Sequence, residues 1–435
     1  MIVITTTSDR KKTERLERSL LAHGYSYHII EHTWGGFLDK LHQTYKYLKA
    51  IDETHFIYTD AWDTVALRGG LVDIPKLFFS SERACYPYAD KAVLYPEVNS
   101  PFKYVNGGGF GGEVSEFIKL YESHPPKDEM NDQVWLTNRY LDSLDSRNET
   151  DITLDSFCEV FQTLGFCPPE NFIFDSGLKN TITNTYPYFL HGNGHTPLQP
   201  VLKLLPMTFD NACSVWINTT EGHRYINESF AEKVNETPKL KEFRDYVEST
   251  AYGFGERSFI WFWNVLAKSL PDNFKFLEIG VYRGQSLAAI KLSKVSAQVT
   301  GITPLDSTGG FHSSDYAKDI KDLHAKYKLK QPIIWKGLSS DHDILDKASK
   351  TAWDVIYIDG GHTYECAHHD VFRYSSFVKA GGYLVIDDCA NGYPMPEGYF
   401  RGIADVSKAV DELLPNEHYT EVFSVVHIRV FKRIK

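Results

Sequence analysis

The segment Phe56-Ile-Tyr-Thr-Asp-Ala-Trp-Asp-Thr64 places two carboxylates, Asp60 and Asp63, just past an apolar run. A turn after a strand can aim both at one point, and paired hard oxygen donors suit Mg²⁺ or Mn²⁺. Acidic pairs after strands also occur as solvated or capping groups. Three further clusters follow in the chain. Tyr104-Val-Asn-Gly-Gly-Gly-Phe-Gly-Gly112 has a glycine density not expected of a buried strand, and reads as a loop that lets backbone approach a ligand closely. Asn131-Asp132-Gln133 offers a carboxylate between two amides, and His191-Gly-Asn-Gly-His195 an imidazole in a glycine-flanked loop.

A second set lies beyond residue 270. Phe276-Leu-Glu-Ile-Gly-Val-Tyr-Arg-Gly284 reads as a strand, a tight glycine turn and a helix start, whose free N–H groups suit a carboxylate. The G-x-G-x-x-G spacing of dinucleotide sites is absent. Two more apolar runs end in Asp359 and in Asp387-Asp388, and His362 follows Asp359. Neighbouring ends of parallel strands open onto one crevice, where three carboxylates repel unless a cation joins them. The alternative is helix capping by Asp359 and turn formation by Asp387 and Asp388. An ordinary imidazole pKa suits His362 as a proton acceptor, and a loop-ordering hydrogen bond is the competing role.

Positioning these groups needs more than one core. The chain has 435 residues, so two domains are expected. Strand–helix alternation marks the first half as α/β. A polar, weakly periodic stretch separates it from the second, giving expected boundaries of 1–206, a linker over 207–240, and 241–435. The second half reads as a mostly parallel, doubly wound sheet with a terminal antiparallel hairpin. The net charge of −11 argues against a nucleic-acid partner. The six cysteines show no zinc or C-x-x-C spacing, which fits a reducing compartment. Neither a signal-peptide pattern nor a membrane-length apolar run is evident, so a cytoplasmic location is expected. Oligomeric state is left open.

The order of the first-half motifs resembles the glycosyltransferase domain of the procollagen-lysine hydroxylase and procollagen galactosyltransferase group. Besides the acidic pair and the NDQ triplet, the likeness includes YPEV–KYVNGGGFGG, LDSFCEVFQTL and HGNGHTPLQ. It implies a GT-A-type fold using a UDP-sugar donor and Mn²⁺ held by Asp60, Asp63 and His191. Trp62 would stack near the nucleobase, Asn106 and Asp132 would face the sugar or acceptor, and Asn193 would lie near the diphosphate. Lys40, after the Trp34-Gly-Gly turn, would neutralise phosphate.

In the second half, E-x-G-x-x-x-G resembles motif I of class I S-adenosylmethionine (SAM) methyltransferases, with Glu278, Gly280 and Gly284 at the cofactor. The D-G-x-H-x-Y-E and D-D motifs are similar to metal-dependent sugar O-methyltransferases of the macrocin type. That likeness implies Mg²⁺ on Asp359, Asp387 and Asp388, gripping a sugar diol, and His362 as general base. Thr303 stands where such enzymes carry a ribose-binding acid, so Asp306 is the expected substitute, with Ser339 near the adenine. The combined expectation is a bifunctional enzyme that glycosylates a glycan or glycoconjugate hydroxyl and methylates a sugar hydroxyl. The alternative is an active glycosyltransferase joined to an inactive methyltransferase-fold module.

Overall fold

The computed structural model describes residues 1–71, 73–126, 131–145, 151–305 and 316–435. The chain divides into two compact units. One comprises Met1–Pro206 with Cys213–Val215, and the other Met207–Ala212 with Trp216–Lys435.

Among the described residues, the first unit carries the strands β1 (Ile2–Thr7), β2 (Tyr27–Glu31), β3 (His55–Thr59), β4 (Thr64–Ala66), β5 (Leu77–Glu82), β6 (Tyr104–Glu113), β7 (Thr153–Asp155), β8 (Phe161–Thr163), β9 (Phe172–Phe174), β10 (Leu178–Asn180) and β11 (Phe189–His191). The main sheet runs β2-β1-β3-β6-β5-β7, with β1 parallel to both neighbours and β6 antiparallel to β3 and β5. A three-stranded sheet, β4-β11-β8, lies beside it. Apolar residues at alternate strand positions, such as Phe56, Tyr58 and Phe110, pack against the helices Asp39–Leu48 and Val114–Ser123.

Two segments differ from what the sequence implied. The glycine-rich segment 106–112 is not a loop but the buried middle of β6. A Cβ at Gly108 would lie 2.0 Å from His191 Cε1, and one at Gly107 would lie 2.6 Å from Asp132 Oδ2. One at Gly111 would meet the Phe56 carbonyl at 2.6 Å. The glycines are present because other groups fill the places where side chains would stand. Likewise His191 is the last residue of β11, only 2% exposed, rather than part of a flexible loop.

The second unit carries β12 (Lys275–Ile279), β13 (Gln298–Thr303), β14 (Ile333–Lys336), β15 (Trp353–Ile358), β16 (Val378–Ile386), β17 (Tyr419–Val425) and β18 (Ile428–Arg433). Their order is β14-β13-β12-β15-β16-β18-β17, parallel except for the terminal hairpin. The helix Gln285–Ser293 is buried along nearly its whole length, whereas Tyr364–Tyr374 is amphipathic and buries its apolar face through Val371 and Tyr374. His368 and His369 lie on that helix, one turn or more past His362.

The expected linker over 207–240 is instead helical: Phe209–Val215, Thr220–Glu236 and the start of Pro238–Thr250. Its period was concealed because only a narrow stripe, Ile226, Phe230 and Val234, is apolar and buried on the long helix. Thr219 caps that helix by accepting from the Gly222 N–H at 3.1 Å. Among the described residues, no helix is long and apolar enough to cross a membrane.

Candidate functional sites

In the first unit, strand pairing delivers the acidic pair and the histidine to one place. The Asp60 N–H donates to the Gly108 carbonyl at 2.9 Å, extending the β3–β6 ladder. The Gly192 N–H donates to the Asp63 carbonyl at 2.7 Å, extending the β4–β11 ladder. His191 Nε2 consequently lies 3.7 Å from Asp60 Oδ2 and 3.5 Å from Asp63 Oδ1. All three donor atoms lie within 4.8 Å of one another. Burial works to lower the His191 pKa, but Asp63 and Asp60 outweigh it and raise it. Two half-exposed carboxylates and a buried imidazole make a mixed oxygen–nitrogen donor set that fits Mn²⁺.

Lys40 reaches the same point from the helix Asp39–Leu48. Its Nζ donates to Asp60 Oδ1 and to the Gly107 carbonyl, each at 3.0 Å, and pairs closely with Asp132. Burial opposes its charge, yet Asp132 and Asp60 hold its pKa well above the ordinary lysine value. Asp132 opens the helix Asp132–Ser143, capped by Asn131. These groups line a cavity of about 690 Å³ together with Trp62, Asn106 and Asn193. Trp62 is 46% exposed, and its indole N–H donates to Thr7 Oγ1 at 2.9 Å, which fixes the ring at the cavity wall.

Asn106 and Asn193 are less free than the sequence implied. Asn106 Oδ1 accepts from the Gly108 N–H at 3.0 Å, and its amide faces Glu82 Oε1 at 3.3 Å. Asn193 Oδ1 accepts from the Gly165 N–H at 2.6 Å, and its amide donates to Glu82 Oε2 at 2.8 Å. Gln133 also donates to Glu82 Oε1, at 2.7 Å. Glu82 is thus a buried carboxylate that ties three cavity-lining amides together, and burial raises its pKa. Nothing in Ser80-Ser-Glu-Arg83 marks it, because its partners come from three distant segments.

In the second unit, the aligned ends of β12, β15 and β16 carry the predicted acids. Ile279 pairs with Ile358, and Ile358 with Ile386. The next N–H groups continue the ladder, Asp359 to the Ile279 carbonyl and Asp387 to the Ile358 carbonyl, each at 2.9 Å. Gly280 has φ +93°, and a Cβ there would lie 1.8 Å from the Asp359 carbonyl oxygen. Its absent side chain lets the strand ends close up.

A cavity of about 460 Å³ opens over these ends, lined by Glu278, Gly284, Asp359, His362, Asp387 and Asp388 among others. Ser339 does not line it. Its carbonyl accepts from the Tyr374 hydroxyl at 2.8 Å. Asp306 lies outside the described residues. Thr303 is buried, and its hydroxyl accepts from the Leu305 N–H at 3.2 Å. Burial pushes Glu278 up to about 8, with Asp359 and Asp387 adding to the shift and the Ser286 hydrogen bond opposing it. Burial pushes Asp359 up to about 7.

The three acids do not form a single isolated set. Asp388 is shared between two clusters, Asp359/His362/Asp388 and Asp387/Asp388/His427. His362 Nε2 lies 3.7 Å from Asp359 Oδ1 and 3.4 Å from Asp388 Oδ2. Asp359 acts first in raising the His362 pKa. The Tyr357 hydroxyl donates to Asp387 Oδ2 at 2.5 Å and faces Asp359 Oδ2 at 3.2 Å. His427 escaped the sequence reading: it stands between the two strands of the terminal hairpin, with no motif around it.

Comparison with known proteins agrees with this division. Residues 2–208 match the family described as "PLOD GT domain", and residues 277–389 match "Methyltransferase domain". An uncharacterized protein of Acanthamoeba polyphaga mimivirus is 30% identical over 266 residues, covering 55% of this chain and 56% of that protein. A human multifunctional procollagen lysine hydroxylase and glycosyltransferase is 31% identical over 155 residues, covering 33% of this chain and 21% of that protein. The chain therefore spans less than two thirds of the length of these relatives. Among solved structures, a putative caffeoyl-CoA O-methyltransferase from Staphylococcus aureus aligns at 15% identity and TM-score 0.35. It covers 45% of this chain and 91% of that one.

Proposed function

We propose that this chain, which joins a PLOD-type glycosyltransferase domain to a methyltransferase domain, is a two-site enzyme of carbohydrate modification. The first site transfers a sugar from a UDP-sugar to a glycan or glycoconjugate hydroxyl. The second moves a methyl group from SAM to a sugar hydroxyl. The observation that carries the first reading is the convergence of Asp60, Asp63 and His191 beside the buried Lys40 at the wall of a large cavity.

In the first site, Asp60, Asp63 and His191 would hold Mn²⁺. When bound, such an ion supplies positive charge to the diphosphate leaving group. The chain's own groups then set orientation. Lys40, charged at neutral pH, presents a fixed cation between Asp60 and Asp132. Trp62 offers an exposed, hydrogen-bonded ring face to the nucleobase. Asp132 faces the sugar or acceptor, and Glu82 keeps Asn106, Gln133 and Asn193 in register around it.

In the second site, Glu278, Gly284 and the N-terminus of the helix Gln285–Ser293 receive SAM. His362 accepts the acceptor hydroxyl's proton, with Asp359 orienting its ring. A divalent cation at the Asp388 clusters, for which Mg²⁺ is the sequence-based expectation, would supply charge that lowers the pKa of that hydroxyl.

The test is UDP-sugar hydrolysis with Mn²⁺. Activity in the native chain and its loss in the Asp60→Ala, Asp63→Ala double variant are expected, and undiminished turnover in that variant would remove the assignment. One observation favours a second reading, an inactive binding module: buried Thr303 replaces the ribose-binding acid. Calorimetry with SAM separates the two, since a folded chain that binds no SAM is the module.

A further inference from the structure

Two donor clusters share Asp388 at the second site, and they offer a cation different ligands. We propose that Asp387, Asp388 and His427 hold it, and that the imidazole makes the site favour a transition-metal ion such as Mn²⁺ or Co²⁺ over Mg²⁺. The inference rests on the cation reading given above and assigns its ligands to one of the two clusters around Asp388.

His427 is placed with care. Its side chain is 8% exposed. Phe259 and Phe400 pack against it in T-shaped contacts, with centroids at 4.9 and 5.0 Å and interplanar angles of 70° and 73°. Its Nδ1 lies 2.7 Å from Asp387 Oδ1 and 3.0 Å from Asp388 Oδ1. Despite these short distances, neither oxygen lies along the direction in which Nδ1 would donate, and the atom has no hydrogen-bond partner. An imidazolium held only by ion pairing would point its N–H at one of the carboxylates.

Here the oxygens stand to the side of that direction. Donors at right angles around an ion, with bonds of about 2.1 Å, lie about 3 Å apart, which is the spacing found. The Asp388 carboxylate is held for this purpose by an unusual backbone. Its φ is +55°, and its carbonyl accepts from the Ile403 N–H at 2.8 Å. The other Asp388 oxygen turns toward His362. The His362–Asp359 pair therefore stands on the opposite side of Asp388, free to handle a proton.

Mg²⁺ prefers an octahedron of oxygens and keeps its waters. An imidazole donor shifts preference toward the first-row transition metals.

The experiment uses the full chain carrying Asp60→Ala and Asp63→Ala, so that the first site does not contribute. Calorimetric titration with CoCl₂ and MgCl₂ should show one Co²⁺ per chain, bound at least tenfold tighter than Mg²⁺, roughly the smallest effect expected of a group that tunes a metal site. His427→Gln should weaken Co²⁺ by about 10–100-fold on the same scale and leave SAM binding intact. Because that change is buried, a second measurement uses a native His427: pulsed electron paramagnetic resonance of bound Mn²⁺ in the His362→Ala version should still show an imidazole nitrogen. Equal affinity for Co²⁺ and Mg²⁺, native Co²⁺ affinity in His427→Gln, or loss of the nitrogen signal in His362→Ala would each overturn the proposal. Absence of SAM binding alongside intact nitrogen-coordinated cation binding supports this assignment while removing the methyl-transfer reading.

Discussion

Replacing Gly108 by alanine tests whether the glycine-rich strand exists to seat His191. The added Cβ would lie 2.0 Å from His191 Cε1, 2.7 Å from Nδ1 and 2.7 Å from Nε2. To regain a contact near 3.4 Å the ring must retreat by more than 1 Å, about 3.4 minus 2.0. His191 is buried at the end of β11, so the retreat strains packed neighbours, at a cost of about 1–3 kcal/mol. Metal sites tolerate ligand displacements of about 0.2 Å, and a 1 Å misplacement at a reacting centre costs about 100-fold in rate. Gly108→Ala should therefore remain folded, with a lowered Tm, and lose at least that factor in Mn²⁺-dependent UDP-sugar hydrolysis. Mn²⁺ titration followed by electron paramagnetic resonance should show weakened binding. Gly392→Ala is the control, since its Cβ meets nothing within 4 Å. Native Mn²⁺ affinity and native turnover in Gly108→Ala would show that the strand does not serve to seat the imidazole.

Glu82→Ala should strand the amides of Asn106, Gln133 and Asn193, lowering stability by about 3 kcal/mol and donor turnover with it, as read by urea unfolding and hydrolysis rates. Glu278 is held protonated up to about 8 in the folded chain, whereas an unfolded glutamate ionises near ~4.3. The unfolded chain thus binds fewer protons, and this group costs stability as pH rises through that window. Glu278→Gln should gain stability relative to the native chain between pH of about 5 and about 8, and a constant difference in urea midpoints would contradict it. Gly402→Ala should displace Asp388, because its Cβ would sit 2.3 Å from the Asp388 carbonyl and its φ is +89°. SAM binding should persist by calorimetry while cation binding at the second site weakens.

Where local chemistry and local periodicity coincided, the sequence was readable. Asp359 and Asp387 follow runs of buried residues on adjacent parallel strands, so their placement at one crevice follows from strand order alone. The β6 glycines misled because their cause is not local. His191 and Asp132, about 80 and 25 residues away by sequence number, occupy the spaces their side chains would need. The helix Thr220–Glu236 was hidden by its polar surface, which outnumbers the buried stripe. Glu82 and His427 were invisible for a third reason. Each is an unremarked polar residue in an ordinary strand or hairpin, and only tertiary packing gives it partners. Burial of a charged group among amides or carboxylates leaves no pattern in one sequence.

The two transfer chemistries proposed for this chain can be read together in one set of products. The most direct measurement is mass spectrometry of the products formed from a UDP-sugar panel and a glycan acceptor, with and without SAM. An acceptor heavier by one sugar is expected without SAM, and a further product heavier by one methyl group when SAM is present. Asp60→Ala with Asp63→Ala should abolish the first addition. Sugar addition that survives those changes, or no added methyl in any SAM-containing reaction, would overturn the two-site function.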